Sequence, residues 1–273
     1  MTDIQTKYEA LKNYLRELGS VAVAYSSGVD STFLLSVAHD VLGARAIAIT
    51  ATSKFFPARE LDEARAFCVE HDIDQIVFDV NQLEIDGVKD NPPDRCYLCK
   101  KFLFERIKAI ASDNNLAHVI DGSNTDDVGD YRPGMKALVE LNIISPLKHV
   151  GLSKHEIRSL SKELRLPTWD KPSFACLASR FVYGETITVE KLAMVERAEQ
   201  FLIERGFRQL RVRIHDRLAR IEIEPTEFDR LLKLRAELST TFKAIGFQYV
   251  ALDLQGYRTG SMNETINRED STT

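Results

Sequence analysis

Short apolar runs alternate with segments of helical periodicity along the first 166 residues of the chain. Residues 21–24 form an apolar run typical of a buried strand, and residues 33–42 are apolar at helical spacing until Gly43, the expected C-cap. The other predicted strands span 46–51, 76–80, 117–121 and 143–147, and the predicted helices span 3–18, 57–71, 101–111 and 153–164. This alternation predicts an α/β fold built on a doubly wound parallel sheet.

The pattern changes after residue 166, where an irregular polar and aromatic stretch runs from 167 to 184. It is followed by a predicted helix at 188–205, strands at 208–214 and 218–224, a helix at 226–245 and a strand at 248–254. The first two of these strands are joined by a short turn, so they are expected to pair antiparallel. We therefore expect two domains, a parallel-sheet domain at 1–166 and a smaller α+β domain at 167–273.

Composition narrows the class of protein. The 273 residues are 44% hydrophobic and 28% charged, as in a globular domain, and no apolar run has membrane-spanning length. The first residues lack a signal-peptide pattern, so we expect a cytoplasmic protein without a membrane partner. Four cysteines in that compartment favour metal ligands or catalytic thiols over disulfides. A net charge of −5 argues against a nucleic-acid partner.

Small polar residues fill the predicted strand-to-helix turn at 26–32. We expect Gly28 to adopt a backbone conformation closed to other residues, and Asp30 or Ser31 to cap the helix. Free N–H groups at a helix start can bind a phosphate or pyrophosphate. The alternative is a well-capped turn that binds nothing; five consecutive residues of this kind favour the phosphate site.

A second polar segment, 121–127, follows the fourth predicted strand and continues to Gly134. It lies at the carboxyl edge of the sheet, where open α/β sheets bind ligands. An Asx-rich turn is the simpler interpretation. In the functional interpretation, which we favour, the Asn and Asp side chains bind a ribose or Mg²⁺, and Arg132 binds a phosphate.

The cysteines form an incomplete metal pattern. Cys96 and Cys99 stand three residues apart at the start of a predicted helix, and Cys176 lies in the irregular stretch. The first two could be a redox pair, half a metal site or two small buried residues. Three thiolates leave one position open, which suits an iron–sulfur cluster better than structural zinc. Cys68 falls inside a helix and is expected in the core.

Arginines are concentrated in the second domain. Arg211 and Arg213 alternate along one predicted strand, and Arg220 and Glu222 alternate along its partner. The simpler interpretation is a solvated face with cross-strand ion pairs. The alternative is that convergent arginines bind an anion together. We favour this anion clamp because Arg258 has a glycine two residues away on either side.

The turn at 26–32 resembles the PP-loop, Ser-Gly-Gly-x-Asp-Ser, of the ATP pyrophosphatase superfamily, with Ser27 where that family usually has its first Gly. The resemblance implies cleavage of ATP between the α and β phosphates, with adenylylation of a substrate oxygen.

The chain as a whole is similar to the LarE family of ATP-dependent sulfur transferases. The similarity rests on the PP-loop, on residues 121–134, on Cys176 with Ser179-Arg180-Phe181, on Arg211-Val212-Arg213 and on residues 256–260. It implies that ATP adenylylates the carboxylates of a small-molecule substrate, pyridinium-3,5-biscarboxylic acid mononucleotide, and that sulfur displaces AMP. The product serves the nickel-pincer cofactor of lactate racemase. The resemblance also implies Mg²⁺ and a homo-oligomer.

Roles follow residue by residue from this resemblance. The implied ATP-binding residues are Ser26, Ser27, Gly28, Asp30, Ser31, Thr32, Gly122, Asn124, Asp127 and Arg132, and the implied substrate-binding residues are Ser179, Arg180, Arg211, Arg213 and Arg258. Cys176 is the implied catalytic residue. In one branch of the family this cysteine donates its sulfur and ends as dehydroalanine; in the other, three cysteines hold a 4Fe-4S cluster. With Cys96, Cys99 and Cys176, this chain resembles the second branch.

Three rival functions remain at the level of the sequence. A PP-loop tRNA thiolase with an iron–sulfur cluster is the nearest, and the acidic net charge argues against it. A non-catalytic ATP-binding module would bind ATP without releasing pyrophosphate. An amide-forming synthetase that uses ammonia would leave the three thiols unexplained.

Overall fold

The structure is a computed structural model that describes residues 3–127, 133–173, 175–258 and 260–262. The chain forms two compact units. The first comprises Met1–Ser53, Ala58–Asn81 and Cys96–Phe174. The second comprises Ala175–Thr273 together with two segments from earlier in the chain, Lys54–Pro57 and Gln82–Arg95.

The first unit contains a four-stranded sheet in which every pairing is parallel. Its strands are β1 (Val21–Ala24), β2 (Ala46–Thr52), β3 (Gln75–Asp79) and β4 (His118–Ile120), in the spatial order β3-β2-β1-β4. The central strand β1 is apolar along its length and almost wholly buried, as a parallel strand covered on both faces must be. The predicted α/β fold with a parallel sheet is confirmed.

Helices cover both faces of this sheet. They are α1 (Asp3–Leu18), α2 (Val29–Leu42), α3 (Ala58–Glu70), α4 (Arg95–Asp113), α5 (Gly134–Glu140), α6 (Pro146–His149) and α7 (Lys154–Glu163). One core cluster joins β1 to side chains such as Leu11, Phe33 and Leu160, and a second joins Ile49 to Phe104. The apolar stripes of the helices are therefore buried on two sides of one sheet, with the phosphate-loop turn at its carboxyl edge.

The predicted fifth strand at 143–147 is wrong. Ile144 makes a single parallel bridge to Ile120, and the chain then turns into α6 at Pro146. Proline has no N–H to donate to a sheet and its φ suits the first position of a helix, so the ladder ends before it can extend.

The second unit is the predicted α+β arrangement. Its elements are α8 (Val189–Glu204), β5 (Leu210–His215), β6 (Leu218–Ile223), α9 (Phe228–Lys233), α10 (Arg235–Ile245) and β7 (Tyr249–Leu252). Strands β5 and β6 pair antiparallel across a two-residue turn, and β7 pairs parallel with β6. The single helix predicted at 226–245 is wrong: Leu234 interrupts it, with its N–H bonded to Leu231 O in a tightened turn.

Within the described residues, none of the helices is both long enough and apolar enough to cross a lipid bilayer.

Candidate functional site

The loop between β1 and α2 is the first candidate site. Gly28 is the N-cap of α2, with φ −75° and ψ 163°, and no side chain among the described residues caps the helix. The expectation of an unusual conformation at Gly28 is therefore wrong, as is capping by Asp30 or Ser31, which lie in the first helical turn. The start of α2 thus keeps its N–H groups for another acceptor, such as a phosphate.

The left-handed residue of this loop is Ser27, with φ +53°. Its hydroxyl lies 3.0 Å from both the Glu60 carbonyl oxygen and Glu60 Oε2, so it can donate to either. Lys171 Nζ donates to Ser27 O at 3.0 Å and to Glu60 Oε2 at 2.7 Å. Sequence reasoning missed Glu60 and Lys171. In the sequence each of them is simply a charged residue near a turn. Their hydrogen-bond partners are more than 30 residues away along the chain, so no local pattern indicates the contacts.

Asp30, in the first turn of α2, is paired with Lys154 Nζ. Asn124 Nδ2 donates to the other oxygen of Asp30 at 3.4 Å. Lys154 is the first residue of α7, whose N-terminus carries a capping box between Ser153 and Glu156. The structure thus brings a lysine to the loop that sequence reasoning did not find.

The segment after β4 approaches the start of α2 closely. A Cβ at Gly122 would stand 3.0 Å from Ser31 N and 3.2 Å from Asp30 C, so only glycine lets the two backbones come this near. Asp127 Oδ2 accepts a hydrogen bond from Asn124 N at 2.9 Å and shapes this turn. The structure therefore brings Gly122 and Asn124 to the loop. Arg132 lies outside the described residues.

In the second unit, a short 3-10 turn, Leu177–Arg180, follows Cys176. The carbonyl oxygen of Cys176 accepts hydrogen bonds from Ser179 Oγ at 2.8 Å and from Arg180 Nη1 at 2.9 Å. The N–H of Leu177 donates to Phe55 O at 2.8 Å, from one of the early segments of this unit. On the other side of Cys176, Arg180 Nη1 donates to Ala175 O at 2.6 Å, so hydrogen bonds hold the backbone before and after this half-buried thiol.

Arg180 is fully buried and makes a bidentate pair with Glu199 of α8, at 2.9 and 2.8 Å. Burial lowers the pKa of Arg180, but the charge and hydrogen bonds of Glu199 outweigh burial and raise that pKa overall. Burial likewise raises the pKa of Glu199, and Arg180 more than offsets it, so the carboxyl pKa is lowered. Glu199 Oε1 also accepts from Val212 N at 2.9 Å, which ties this pair to β5.

One face of β5 and β6 carries a second buried pair. Arg211 stands opposite Glu222 and Arg213 opposite Arg220. Arg213 binds Glu222 through two hydrogen bonds, at 3.1 and 3.0 Å, and donates to Ser179 O at 2.7 Å. Glu222 is fully buried, so this face is not solvated, although cross-strand ion pairs are present as that interpretation expected.

Burial, followed by the charge of Arg180, lowers the pKa of Arg211 to about 10. Its guanidinium carbon lies 5.2 Å from the centre of the Tyr257 ring. Arg180, Arg211 and Arg213 thus form a buried group of arginines, two of which pair with Glu199 and Glu222. Such a face suits an anionic group with several oxygen atoms.

Arg258 follows β7 in this unit. Its Nη1 donates to Gly256 O at 3.0 Å and lies 3.6 Å from Asp253 Oδ1. Gly256, at φ +71°, holds the turn that carries it.

The cysteines separate into different environments. Cys68 is buried in the core, where burial raises its thiol pKa to about 12, so its predicted core role is confirmed. Cys96 and Cys99 belong to the first unit and Cys176 to the second. Among the described residues, no three His, Cys, Asp or Glu side chains are grouped so that they could hold a metal ion.

A parallel α/β sheet whose first strand leads through a serine-rich loop to an uncapped helix start is typical of phosphate-binding α/β proteins, and the loop resembles a PP-loop. No family model matches the chain. It is 43% identical over 267 residues to an uncharacterized protein of Synechocystis sp., covering 97% of this chain and 100% of that one. It is 37% identical over 269 residues to pyridinium-3,5-bisthiocarboxylic acid mononucleotide synthase of Lactiplantibacillus plantarum, covering 98% of each. The chain belongs to the family of this synthase, the LarE family.

A more distant relative shares the PP-loop class. One subunit of the glutamine-hydrolyzing GMP synthase of Thermoplasma acidophilum is 27% identical over 212 residues, which cover 71% of this chain and 67% of that protein.

Proposed function

We propose that this chain is an ATP-dependent sulfur transferase that converts the carboxylates of pyridinium-3,5-biscarboxylic acid mononucleotide to thiocarboxylates for the nickel-pincer cofactor of lactate racemase. The observation that carries the proposal is the 37% identity, over 98% of both chains, to a synthase named for the bisthiocarboxylic acid product.

ATP activation is assigned to the first unit. The amides of Ser27, Gly28 and Ser31 would oppose the charge on the departing pyrophosphate, and the uncapped start of α2 supports this role. Asp30 would help to hold Mg²⁺. Because Mg²⁺ is commonly bound by one or two carboxylates together with substrate phosphates, a site completed by ATP needs no third protein ligand.

The substrate phosphate is assigned to the arginines of the second unit. The grouping of Arg180, Arg211 and Arg213 in one part of this unit supports binding of an anionic phosphate, and Arg258 would add a further donor. Ser179, whose carbonyl accepts from Arg213, would set the position of that guanidinium.

The chemistry has two steps. A carboxylate oxygen of the substrate attacks the α-phosphorus of ATP, the α–β bridge breaks, and pyrophosphate leaves with the electron pair. Sulfur then attacks the acyl carbon and AMP leaves. If Cys176 is the donor, its Cβ–S bond breaks by loss of the Cα proton, and dehydroalanine remains. The fixed backbone around Cys176 supports this route because it holds one thiol in a constant position.

Replacement of Cys176 by Ala tests the donor. We expect the variant to release pyrophosphate on the first activation but to form no thiocarboxylate, as measured by mass spectrometry of the substrate. Cys68→Ala, which removes a core thiol, is the matched control and should keep thiocarboxylate formation. Sulfur transfer by Cys176→Ala would contradict the assignment, and loss of one H₂S from the wild-type chain during turnover would support it.

A second route uses a 4Fe-4S cluster, and its support is the three-thiol pattern of Cys96, Cys99 and Cys176. Iron and acid-labile sulfide in anaerobically purified protein test it. Stoichiometric iron that is lost in Cys96→Ala would favour this route, and a fully active protein without iron would exclude it.

We also infer a cytoplasmic location, which four cysteines outside disulfide bonds support, and a homo-oligomer, which the family resemblance suggests. The mass of the native particle by light scattering tests the second inference.

A further inference from the structure

The strained residue of the phosphate loop is a serine. Of the seven described non-glycine residues with positive φ, five are Asn or Asp, which tolerate this conformation, and Ser27 is one of the other two. Ser27 is also almost completely buried, with 1% of its surface exposed. A serine therefore holds a conformation at this turn that it does not favour by itself, so other groups must stabilise it.

Lys171 contacts the backbone of this residue directly. Its Nζ donates to Ser27 O at 3.0 Å and lies 3.3 Å from Ser27 Oγ. The same ammonium is oriented by two carboxylates of α3, Glu60 at 2.7 Å and Glu63 at 2.5 Å. All four residues belong to the first unit.

The bond to Ser27 O has a consequence for the next amide. The carbonyl of Ser27 and the N–H of Gly28 share one trans peptide plane and point in opposite directions. Holding the carbonyl toward Lys171 therefore directs the Gly28 N–H to the other side of the loop. Lys171 also balances the charge of Glu60, whose carboxylate lies 3.0 Å from Ser27 Oγ and would otherwise repel an anion at the loop.

We propose that Lys171, oriented by Glu60 and Glu63, is a positioning residue that holds Ser27 in its left-handed conformation and so presents the Gly28 amide to the phosphates of ATP. The proposal rests on the proposed function, since it takes ATP as the ligand of this loop.

If Lys171 acts through the conformation of Ser27, a glycine at position 27 should restore the nucleotide affinity that is lost on removal of Lys171. Glycine adopts positive φ without strain, so a glycine at position 27 has less need of Lys171. Binding of α,β-methylene-ATP in magnesium buffer, measured by calorimetry, compares the wild type with Lys171→Met, Ser27→Gly and the double variant. Lys171→Met should weaken binding roughly tenfold or more, and the double variant should bind within about threefold of Ser27→Gly.

Two control variants distinguish a positioning role of Lys171 from a general effect of losing a lysine and from a loss of folding. Lys12→Met, which removes an ion pair with Glu9 on α1, should bind like the wild type. Lys171→Arg should restore most of the affinity if Lys171→Met folds poorly, as judged from the thermal midpoint without nucleotide.

Each result decides a different question. Wild-type protein that does not bind the nucleotide would overturn the proposed function. Wild-type binding that Lys171→Met leaves unchanged would overturn the positioning role. Weak binding by Lys171→Met without rescue by Ser27→Gly would overturn the positioning role too, and would leave Lys171 either as the charge partner of Glu60 or as a direct contact of the nucleotide.

Discussion

Gly28 is the N-cap of α2, at the start of the helix that follows the first strand. Its backbone conformation is open to any residue, and an added Cβ would lie 3.5 Å from Ser26 Oγ, an ordinary contact. The fold therefore does not explain a glycine at this position. Close approach of a phosphate to the backbone would explain it.

We expect Gly28→Ala to separate stability from binding. The unfolding free energy should change by less than about 1 kcal/mol, because the lower entropy of the unfolded chain and the poorer N-cap offset each other. Nucleotide affinity should fall because the methyl group occupies the approach of the phosphate. Urea titration and calorimetry measure the two quantities; unchanged affinity would remove Gly28 from the phosphate site.

At Gly256, in contrast to Gly28, the fold itself requires a glycine. At φ +71° an added Cβ would lie 2.7 Å from Ile223 O, a backbone atom. Gly184 has a similar φ of +81° but nothing within 4 Å of an added Cβ.

Gly256→Ala should therefore lower the unfolding free energy by about 2 kcal/mol or more, and Gly184→Ala by about 1 kcal/mol, the cost of the left-handed conformation alone. Chemical denaturation of both variants measures the difference. Equal losses would mean that the backbone contact at Gly256 has no energetic effect.

At the scale of elements, a buried ion pair joins α8, β5 and the turn after Cys176. Arg180 and Glu199 are both fully buried, and Glu199 also accepts from the β5 backbone. Removing one charge from such a pair leaves the other without compensation in a medium of low polarity.

Glu199→Gln should consequently lower the unfolding free energy by about 3 kcal/mol or more. Glu204→Gln, on the exposed side of the same helix, should change it by less than about 0.5 kcal/mol. Denaturation by guanidinium measures both, and similar effects in the two variants would argue against a structural contribution from the buried pair.

The end of β5 carries a histidine that makes stability depend on pH. Burial, followed by the charge of Arg220, lowers the pKa of His215 below its ordinary value of 6.5. The folded chain thus prefers the neutral imidazole, and the unfolded chain binds a proton more readily. Stability from this group is complete above pH 6.5 and is lost as pH falls through the lowered pKa.

We therefore expect the urea midpoint of the wild type to fall between about pH 6.5 and pH 5, and that of His215→Gln to fall less over the same range. Parallel slopes in the two proteins would show that other groups control the acid dependence.

For the molecule as a whole, the net charge and the exposed cationic surface bear on whether the substrate is a small molecule or an RNA. The chain carries a net charge of −5, and two of its buried arginines, Arg180 and Arg213, are paired with glutamates. Phosphate-backbone binding needs exposed cationic surface and weakens steeply with salt.

We expect no binding of transfer RNA even at about 50 mM salt, where electrostatic binding is strong. A filter-binding titration with unmodified transfer RNA is the measurement. An affinity for transfer RNA that falls steeply as the salt concentration rises would support the RNA thiolase function.

The order of strands and helices, the parallel sheet and the phosphate-loop turn could be predicted from the sequence, because these follow from local periodicity and from glycine and proline positions. It misjudged the fifth strand, which Pro146 ends, and the helix that Leu234 divides. The special backbone conformation expected at Gly28 is absent there and a left-handed conformation occurs at Ser27, since φ at a turn depends on the groups that surround it.

Which distant side chains meet could not be predicted from the sequence and follows from the packing of the elements. Lys171 reaches Ser27 across 144 residues, Lys154 reaches Asp30 across 124, and Arg95 donates to Ala178 O across 83. Likewise, segments Lys54–Pro57 and Gln82–Arg95 join a unit formed mainly by later residues. Periodicity reports which face of an element is buried, whereas ion pairs and left-handed turns depend on packing between elements that no local pattern encodes.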